Sequence, residues 1–357
     1  MSARIKSILV AGMGNVGTLV ALLLKDSGFS VTAADAKPDT TLGVKTAKLD
    51  VKDSAALRKL IKSHDAIISC LPYHLNLGVA KLAHANGKHY FDLTEDVPTT
   101  NAIQQMAKKG SSVMAPQCGL APGFIGIVGA SLSQSFEKLR SIELRVGALP
   151  QHPKGVLGYA FNWSPEGVVN EYLNDCEVIR SGKIKTVPAM QDLETIVISG
   201  IKLEAFTTSG GLGTMCETFK GKVDRLDYKT MRYPGHCKLM KFFFHELLMK
   251  DDRKAAGNIL VNAKPPVDED VVYVHAGVEG WIKGVLKRHE FVRAYTPITI
   301  GKRRWRAIAW TTAASAVAVI EMVANGTLAS KGFIKQEDIN LKDFLATRTG
   351  KLYNQNA

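Results

Sequence analysis

The chain has 357 residues, of which 46% are hydrophobic and 22% charged. These globular proportions exclude a largely disordered or fibrous protein, and the length predicts two domains at roughly 100–200 residues each. The 46 basic and 33 acidic residues give a formal net charge of +13, which permits an anionic partner such as a nucleotide, a nucleic acid or a membrane surface without choosing among them. Much of the basic excess falls within residues 283–306.

The cysteines and the apolar runs indicate the compartment. The five cysteines are scattered and form no CxxC pair, so the sequence predicts neither a disulfide framework nor a metal site. Glycines interrupt the apolar run at the N-terminus, which lacks a signal-peptide pattern. Residues 307–324 contain Thr311, Thr312, Ser315 and Glu321, and we expect them to be too polar for a membrane span. We therefore expect a cytoplasmic protein with no membrane partner.

The first 120 residues alternate between strand and helix patterns. Strands are predicted at residues 5–11, 29–35, 44–49, 66–70, 89–92 and 112–115. Helices are predicted at residues 16–24, 55–61, 75–85 and 101–108. Because this alternation is typical of parallel sheets with helices on both faces, the sequence predicts a Rossmann-type doubly wound domain over residues 1–120.

The composition changes in the middle of the chain. Residues 141–149, 194–199, 271–278, 282–286 and 291–300 are β-rich and separated by turns, and a hairpin turn is predicted at Glu279–Gly280. Residues 121–305 are therefore predicted to form an α+β domain with a largely antiparallel sheet that binds substrate and supports oligomerisation. An Ala-rich helix at residues 306–324 ends at Asn325–Gly326, and we expect residues 306–357 to pack back on the first domain.

A glycine motif lies between the first strand and the first helix. Gly12 permits a tight turn, Gly14 permits close approach of a pyrophosphate, and Gly17 permits close packing of helix on strand. Asn15 and Val16 complete this motif and open the helix, whose N-terminus favours an anion. The strand–glycine–helix context predicts a dinucleotide site.

The end of the second strand predicts which dinucleotide binds. Asp35 lies 23 residues after Gly12, where its carboxylate would accept hydrogen bonds from a ribose diol and repel a 2′-phosphate. NAD is therefore the expected cofactor. Asp50, after the third strand, is either near the adenine or an ordinary solvated acid. The loop Cys70, Leu71 and Pro72 follows the fourth strand and is expected to contact the cofactor.

Several further motifs carry a resemblance. They are Leu71-Pro72-Tyr73-His74, Gly119-Leu120-Ala121-Pro122-Gly123, residues 157–164 and Met231-Arg232-Tyr233-Pro234-Gly235-His236. Together they resemble the saccharopine dehydrogenase family, over nearly the whole chain. Residues 206–211 and 228–236 are most similar to the lysine 6-dehydrogenases of that family. The chain departs from the fungal saccharopine enzymes at Ala121, where they carry Asp, and at His236, where they carry an aromatic residue.

The resemblance implies oxidation of a carbon–nitrogen bond by hydride transfer to a nicotinamide, followed by hydrolysis of the imine. For lysine 6-dehydrogenase, the hydride leaves Cε of L-lysine, ammonia is released and the semialdehyde cyclises. For saccharopine dehydrogenase, the substrate is a secondary amine. The substrate's own charge sets the chemical demands: an ε-ammonium has a pKa of about 10.4, so a base must remove its proton.

The candidate residues for this chemistry follow the strand ends and the later motifs. Arg232 is expected to bind the α-carboxylate of the substrate as a clamp, with two hydrogen bonds from its guanidinium, and Arg145 is a second candidate. His236 is a proton shuttle, a substrate contact or a capping residue. His74, Asp92 and Glu95 are acid/base candidates or water-facing side chains. Candidates for the wall of the substrate pocket are Tyr73, Tyr159, Asn162, Trp163 and Thr208. Aromatic residues near turns are more often core residues, and an ordinary polar turn is the alternative for Thr208.

Three hypotheses follow. The first is an NAD-dependent L-lysine 6-dehydrogenase, and the second is a saccharopine or related opine-type dehydrogenase. The third is a non-enzymatic NAD-sensing or nucleic-acid-binding protein, for which no nucleic-acid motif is found. We expect a small amino-acid substrate, no nucleic acid, and a homodimer or larger homo-oligomer.

Overall fold

The computed structural model describes residues 5–355, which divide into two compact units. Unit 1 contains the chain up to Phe124 together with residues 309–355, and unit 2 contains residues 125–308. The divisions therefore lie within a few residues of the expected bounds at 120 and 305.

Unit 1 is built on a parallel sheet of seven strands. With numbering along the whole chain, its strands are β1 (Ser7–Ala11), β2 (Ser30–Asp35), β3 (Lys45–Lys48), β4 (Ala66–Ser69), β5 (His89–Asp92), β6 (Val113–Ala115) and β17 (Gly332–Phe333). Their order is β17-β6-β5-β4-β1-β2-β3, and every pairing is parallel. The central strands are apolar and buried along their length, as expected where helices cover both faces. The predicted doubly wound fold is confirmed.

Most helices of unit 1 lie between these strands along the chain, and the last two follow β17. They are α1 (Asn15–Asp26), α2 (Ser54–Lys62), α3 (Tyr73–Ala85), α4 (Val97–Ala107), α10 (Ala307–Asn325), α11 (Leu341–Ala346) and α12 (Lys351–Gln355). A 3₁₀ turn spans Gln336–Asp338. The local sequence sets where helices begin: Asp53 accepts from the Ala55 and Ala56 N–H groups at the start of α2, each at 3.0 Å.

Helix α10 differs from the expectation in one respect. By length and hydropathy it could cross a membrane, although its polar residues argued otherwise. In the structure, 83% of its most apolar window is buried, which is typical of a core helix. It ends at Asn325, and Gly326 follows with φ +86°, the left-handed conformation of a C-cap glycine.

Unit 2 contains a mixed, mostly antiparallel sheet of eight strands. Its strands are β7 (Lys138–Pro150), β8 (Cys176–Arg180), β9 (Lys183–Val187), β10 (Glu194–Ile198), β11 (Ile201–Thr207), β12 (Arg225–Arg232), β13 (Asp270–Ile282) and β14 (Val285–Tyr295). The order is β10-β11-β12-β7-β13-β14, with β8 pairing β12 and β9. Only the β12–β7 pair is parallel among the described strands of this sheet. The predicted fold class is thus confirmed for both units.

The remaining elements precede, interrupt or follow these strands along the chain. They are α5 (Phe124–Ser133), α6 (Pro165–Leu173), α7 (Met215–Phe219), α8 (His236–Lys241), α9 (Arg253–Ala263) and the small hairpin of β15 (Ile298–Ile300) and β16 (Arg303–Trp305). A π-helical turn, Phe242–Glu246, extends α8, and a 3₁₀ turn spans Met249–Asp251.

The hairpin turn predicted at Glu279–Gly280 is wrong. Strand β13 continues to Ile282, and the chain reverses at Lys283 and Gly284, both with positive φ (+50° and +73°). Positive φ at both central residues is the geometry of a type I′ turn, which matches the twist of the flanking strands. Glu279–Gly280 instead marks a register shift against β7.

The strand predicted at residues 291–300 is interrupted. Strand β14 ends at Tyr295 and β15 begins at Ile298. Pro297 lies between them and has no N–H to donate to a ladder.

The buried carboxylate of Asp270 provides a test of the fold. It accepts from the Ala307 N–H at 2.6 Å and the Ile308 N–H at 3.0 Å, at the start of α10. Asp270→Ala leaves both donors without this partner and should lower the free energy of unfolding by about 2 kcal/mol, measured by chemical denaturation. Asp268→Ala is the matched control, because that side chain is 86% exposed and should cost under about 0.5 kcal/mol. Equal losses would contradict this capping role.

Candidate functional site

The glycine turn after β1 leaves one side open. Gly12 has φ +95°, and a Cβ there would lie 2.9 Å from the Cys70 carbonyl oxygen. A Cβ on Gly17 would overlap the Gly12 carbonyl. Gly14 is exposed, and nothing lies within 4 Å of its Cβ position. Two glycines are therefore required by the chain itself and one faces open space, an arrangement that fits a pyrophosphate at the N-terminus of α1.

Asp35 is fixed beside this turn. Its Oδ2 accepts from the Met13 N–H at 2.8 Å and its Oδ1 from the Lys37 N–H at 3.0 Å. A carboxylate held here at the end of β2 fits a ribose diol and opposes a 2′-phosphate. The turn and the Asp35 carboxylate thus fit a bound dinucleotide. Asp50 is exposed and accepts from the Lys52 N–H at 2.9 Å, in a local turn.

The loop after β4 lies against the same turn. Cys70 is half-buried, and burial raises the pKa of its thiol to about 12, so the thiol stays neutral. Leu71 is half-buried and Pro72 is exposed as the N-cap of α3. In the first turn of α3, exposed His74 has its ring 5.7 Å from that of Tyr73. His74 is thus free to meet a ligand at this edge of the sheet.

Asp92 is completely buried at the end of β5. Its carboxylate accepts from the Tyr90 hydroxyl at 2.8 Å, the Thr94 N–H at 2.9 Å and the Gln117 N–H at 3.0 Å. Burial raises its pKa to about 6, although these hydrogen bonds oppose the rise. Asp92 therefore ties β5 to the loop after β6, and its role as an acid/base remains a prediction, as does that of half-buried Glu95.

Gln117 was not among the predicted site residues. It has φ +65°, is 3% exposed, and its Nε2 has no hydrogen-bond partner within residues 5–355. Buried amide donors without partners are uncommon, so this group is a candidate ligand contact. Left-handed φ at a non-glycine residue cannot be recognised from sequence, which is why it was missed.

Unit 2 buries Arg232 at the end of β12, 2% exposed. Its Nε donates to the Tyr172 hydroxyl at 2.7 Å, and its Nη1 donates to Thr230 Oγ1 at 2.5 Å and the Met231 carbonyl at 2.9 Å. The guanidinium carbon lies 4.6 Å from the Tyr159 ring centroid. Burial opposes the charge, but the tyrosines and the Glu171 carboxylate raise the pKa of Arg232 above its usual value. The guanidinium therefore stays charged.

His236 lies against the same group and is 1% exposed. Its Nδ1 is 3.0 Å from the Leu157 carbonyl oxygen, and its Nε2 is 3.0 Å from the Tyr172 hydroxyl. Burial, with the nearby charge of Arg232, lowers the pKa of His236 to about 3. Both ring nitrogens are occupied, so His236 is a neutral buried residue and the predicted proton shuttle has no free nitrogen.

Only some of the other predicted substrate residues of unit 2 lie beside Arg232. Tyr159 is buried against Arg232 and forms a hydrogen bond with half-buried Trp163. Thr208 is 2% exposed, and its hydroxyl has no hydrogen-bond partner within the described chain. Gly211 makes room for a tyrosine, because a Cβ there would overlap the Tyr228 ring. The structure thus brings Tyr159, Trp163, Arg232 and His236 together.

Arg145 is not available as a second clamp. It is buried in an ion network, with Nε 2.5 Å from Glu194 and Nη1 2.7 Å from Asp227. Lys229 lies 2.7 Å from the same Glu194 carboxylate. A guanidinium that is already paired with two carboxylates has less attraction left for the carboxylate of a substrate. The expectation for Arg145 is therefore wrong.

Two tyrosines near Arg232 were missed from the sequence. Tyr228 and Thr230 precede Arg232 at a spacing of two, so strand alternation could have placed all three on one face. Tyr172 lies on α6, 60 residues before Arg232, and no local pattern connects the two. Its position depends on tertiary packing.

Comparison with known proteins identifies the family. Residues 8–114 match the family model of the saccharopine dehydrogenase NADP-binding domain, and residues 119–352 match that of the saccharopine dehydrogenase C-terminal domain. The chain belongs to the saccharopine dehydrogenase family. A likeness to the lysine 6-dehydrogenases in particular remains a prediction.

Two relatives illustrate the family. Saccharopine dehydrogenase [NADP(+), L-glutamate-forming] of Pyricularia oryzae is 25% identical over 294 residues, which is 75% of this chain and 65% of that protein. The Saccharomyces cerevisiae enzyme of the same name is 29% identical over 268 residues, which is 69% of this chain and 59% of that protein. The matches thus cover less than two thirds of these relatives.

A solved structure shows the same fold. Apo saccharopine dehydrogenase (L-Glu forming) from Saccharomyces cerevisiae superposes with a TM-score of 0.77 at 18% identity, covering 95% of this chain and 97% of that one. At this identity the likeness establishes the saccharopine dehydrogenase fold and nothing finer.

The buried histidine predicts a pH-dependent stability. The pKa of His236 is about 3 in the fold and about 6.5 in the unfolded chain, so the unfolded state binds the additional proton and stability falls as pH drops below 6.5. Between pH 8 and pH 5, the wild type should lose about 2 kcal/mol more unfolding free energy than His236→Gln, measured by urea denaturation. Parallel losses in the two proteins would show that His236 is not held neutral.

Proposed function

We propose that this chain is a nicotinamide-dinucleotide-dependent dehydrogenase that oxidises a carbon–nitrogen bond of an amino acid. Family membership and the glycine turn beside Asp35 support the class of reaction. The observation that supports an amino acid as the substrate is the buried guanidinium of Arg232, one nitrogen of which is left for a ligand.

The hydrogens of Arg232 can be counted. Its single Nε–H and both Nη1 hydrogens are engaged by Tyr172, Thr230 and the Met231 carbonyl. Within residues 5–355, no acceptor is found for Nη2. A carboxylate is the acceptor that an unengaged guanidinium nitrogen prefers. Arg232 would thus bind the substrate carboxylate through Nη2 alone, in place of the bidentate contact expected from the sequence.

The residues divide the work of oxidation between binding and proton removal. Arg232 holds the α-carboxylate, while a base takes a proton from the ammonium so that the carbon can release hydride. A bound nicotinamide supplies the hydride acceptor. Water then adds to the imine, giving a carbonyl compound and a free amine. His74, Asp92 and Glu95 remain the candidates for the base, because the nitrogens of His236 are engaged.

Two substrates fit this description. L-Lysine is our first candidate, because the one unengaged nitrogen of Arg232 suits a substrate with a single carboxylate. The Glu171 carboxylate near Arg232 disfavours additional negative charge on the substrate. Saccharopine, with three carboxylates, would need further cations, and Arg145 is engaged by Glu194 and Asp227. Saccharopine is favoured by the relatives, whose names give it as their substrate.

The coenzyme is proposed to be NAD. The carboxylate of Asp35 at the end of β2 supports this choice by charge, whereas the matching family model and the relatives are named for NADP. A cytoplasmic homo-oligomer completes the proposal.

A substrate panel tests the proposal. Reduction of NAD and of NADP is followed with L-lysine, L-ornithine, L-saccharopine and diamines at mildly alkaline pH, with ammonia and glutamate measured separately. Lysine-dependent ammonia release supports the first candidate, and glutamate release from saccharopine supports the second. No reduction with any amine would contradict the reaction class.

Arg232→Ala should raise KM for the amino-acid substrate by about 100-fold, because a charged hydrogen bond in a buried site is lost. KM for NAD should change less than about twofold. Initial rates over both substrates provide the measurement, and Arg293→Ala, which removes an exposed arginine of β14, is the control. An unchanged amino-acid KM would remove Arg232 from the site.

The coenzyme proposal predicts the effect of exchanging Asp35. Asp35→Ser combined with Lys37→Arg removes the negative charge and adds a guanidinium, so the ratio of kcat/KM for NADP to that for NAD should rise by at least about tenfold. Lys37→Arg alone keeps Asp35 and should leave the ratio nearly unchanged. A wild-type enzyme that uses both coenzymes equally would contradict the role of Asp35.

A further inference from the structure

We propose that Tyr172 and His236 form a positioning relay that fixes the Arg232 guanidinium and thereby directs its free Nη2 at the substrate carboxylate. This inference rests on the proposed function, because it assigns a purpose to residues that support the proposed clamp. Neither residue would touch the reacting atoms.

The direction of every hydrogen bond in the relay is determined. The Leu157 carbonyl can only accept, so the His236 Nδ1 carries the hydrogen and donates across 3.0 Å. In a neutral ring the Nε2 is then an acceptor, and it receives the Tyr172 O–H across 3.0 Å. Arg232 can only donate, so its Nε–H points to the Tyr172 oxygen at 2.7 Å. No member can reverse its bond without leaving a neighbour unpaired.

Packing holds the relay in place. The His236 ring stacks on Phe206 at 6.3 Å with 14° between planes, and its edge meets Tyr159 at 5.1 Å. Tyr172, His236 and Phe206 are each at most 1% exposed. Because α6 carries Tyr172, α8 carries His236 and β12 carries Arg232, the relay joins elements that are distant in sequence.

The consequence is orientational. Thr230 and the Met231 carbonyl hold Nη1, and the relay holds Nε, so the guanidinium is fixed at two of its three nitrogens. Without the Tyr172 hydroxyl, Nε–H loses its acceptor and competes with Nη2 for the carboxylate. The substrate would then bind in more than one orientation, which lowers the fraction aligned for hydride loss.

The kinetic test compares variants that keep volume but alter the relay. Tyr172→Phe and His236→Phe should each raise KM for L-lysine about tenfold and lower kcat, with KM for NAD unchanged; L-saccharopine is assayed in parallel. His236→Gln should retain most of the activity that His236→Phe loses, because the glutamine amide can donate to the Leu157 carbonyl and accept from the Tyr172 hydroxyl. Tyr273→Phe is the matched control, since Tyr273 lies in the same hydrophobic cluster as Tyr172 and its hydroxyl has no hydrogen-bond partner within the described residues.

The outcomes separate positioning from folding. Equal kinetic effects in Tyr172→Phe and Tyr273→Phe, or in His236→Gln and His236→Phe, would overturn the relay. If Arg232→Ala leaves the amino-acid KM unchanged, the proposed clamp fails instead. If Arg232→Ala raises KM while Tyr172→Phe has no effect, the clamp stands and only the relay is refuted.

A spectroscopic test needs no turnover. In ¹⁵N NMR spectra of the full chain, His236 should show a protonated Nδ1 and an unprotonated Nε2 from pH 5 to pH 9. Tyr172→Phe should shift the Nε2 resonance towards that of a nitrogen without a hydrogen bond, and Tyr273→Phe should not. An Nε2–H tautomer would contradict the relay.

Discussion

The burial of the Arg232 guanidinium is the constraint on which the candidate site of unit 2 depends. An isolated buried charge is unfavourable by several kcal/mol, so the surrounding chain must supply hydrogen bonds in compensation. It does so with the hydroxyls of Tyr172 and Thr230 and the Met231 carbonyl. These acceptors are all uncharged, so the guanidinium keeps its attraction for a carboxylate.

Arg145, in the same unit, differs from Arg232 in the charge of its hydrogen-bond partners. Arg145 is as deeply buried as Arg232, yet it forms ion pairs with the Glu194 and Asp227 carboxylates of the chain. Arg145 is thus paired with carboxylates of the chain, whereas Arg232 is the arginine that we propose binds a ligand. The two cannot be distinguished by residue type or by burial, only by the charge of their partners.

The sequence was sufficient where the chemistry is local. The turn at Gly12, Gly14 and Gly17 was predicted because the whole motif lies within six consecutive residues between a strand and a helix. The parallel sheet followed from the alternation of strand and helix. The predicted turn was placed at Glu279–Gly280 instead of Lys283–Gly284 because both pairs have residues typical of turns. The choice between them depends on the pairing of β13 with β7. Tyr172 and Gln117 were missed because their roles arise from packing and from backbone conformation.

The central claim is that Arg232 recognises the carboxylate of the amino-acid substrate. The most direct measurement compares kcat/KM for L-lysine with that for cadaverine, the same diamine without the carboxylate, in wild type and in Arg232→Ala. The account predicts that the wild type prefers L-lysine by about 100-fold or more and that the preference nearly disappears in the variant. An equal preference for L-lysine in both proteins would contradict it.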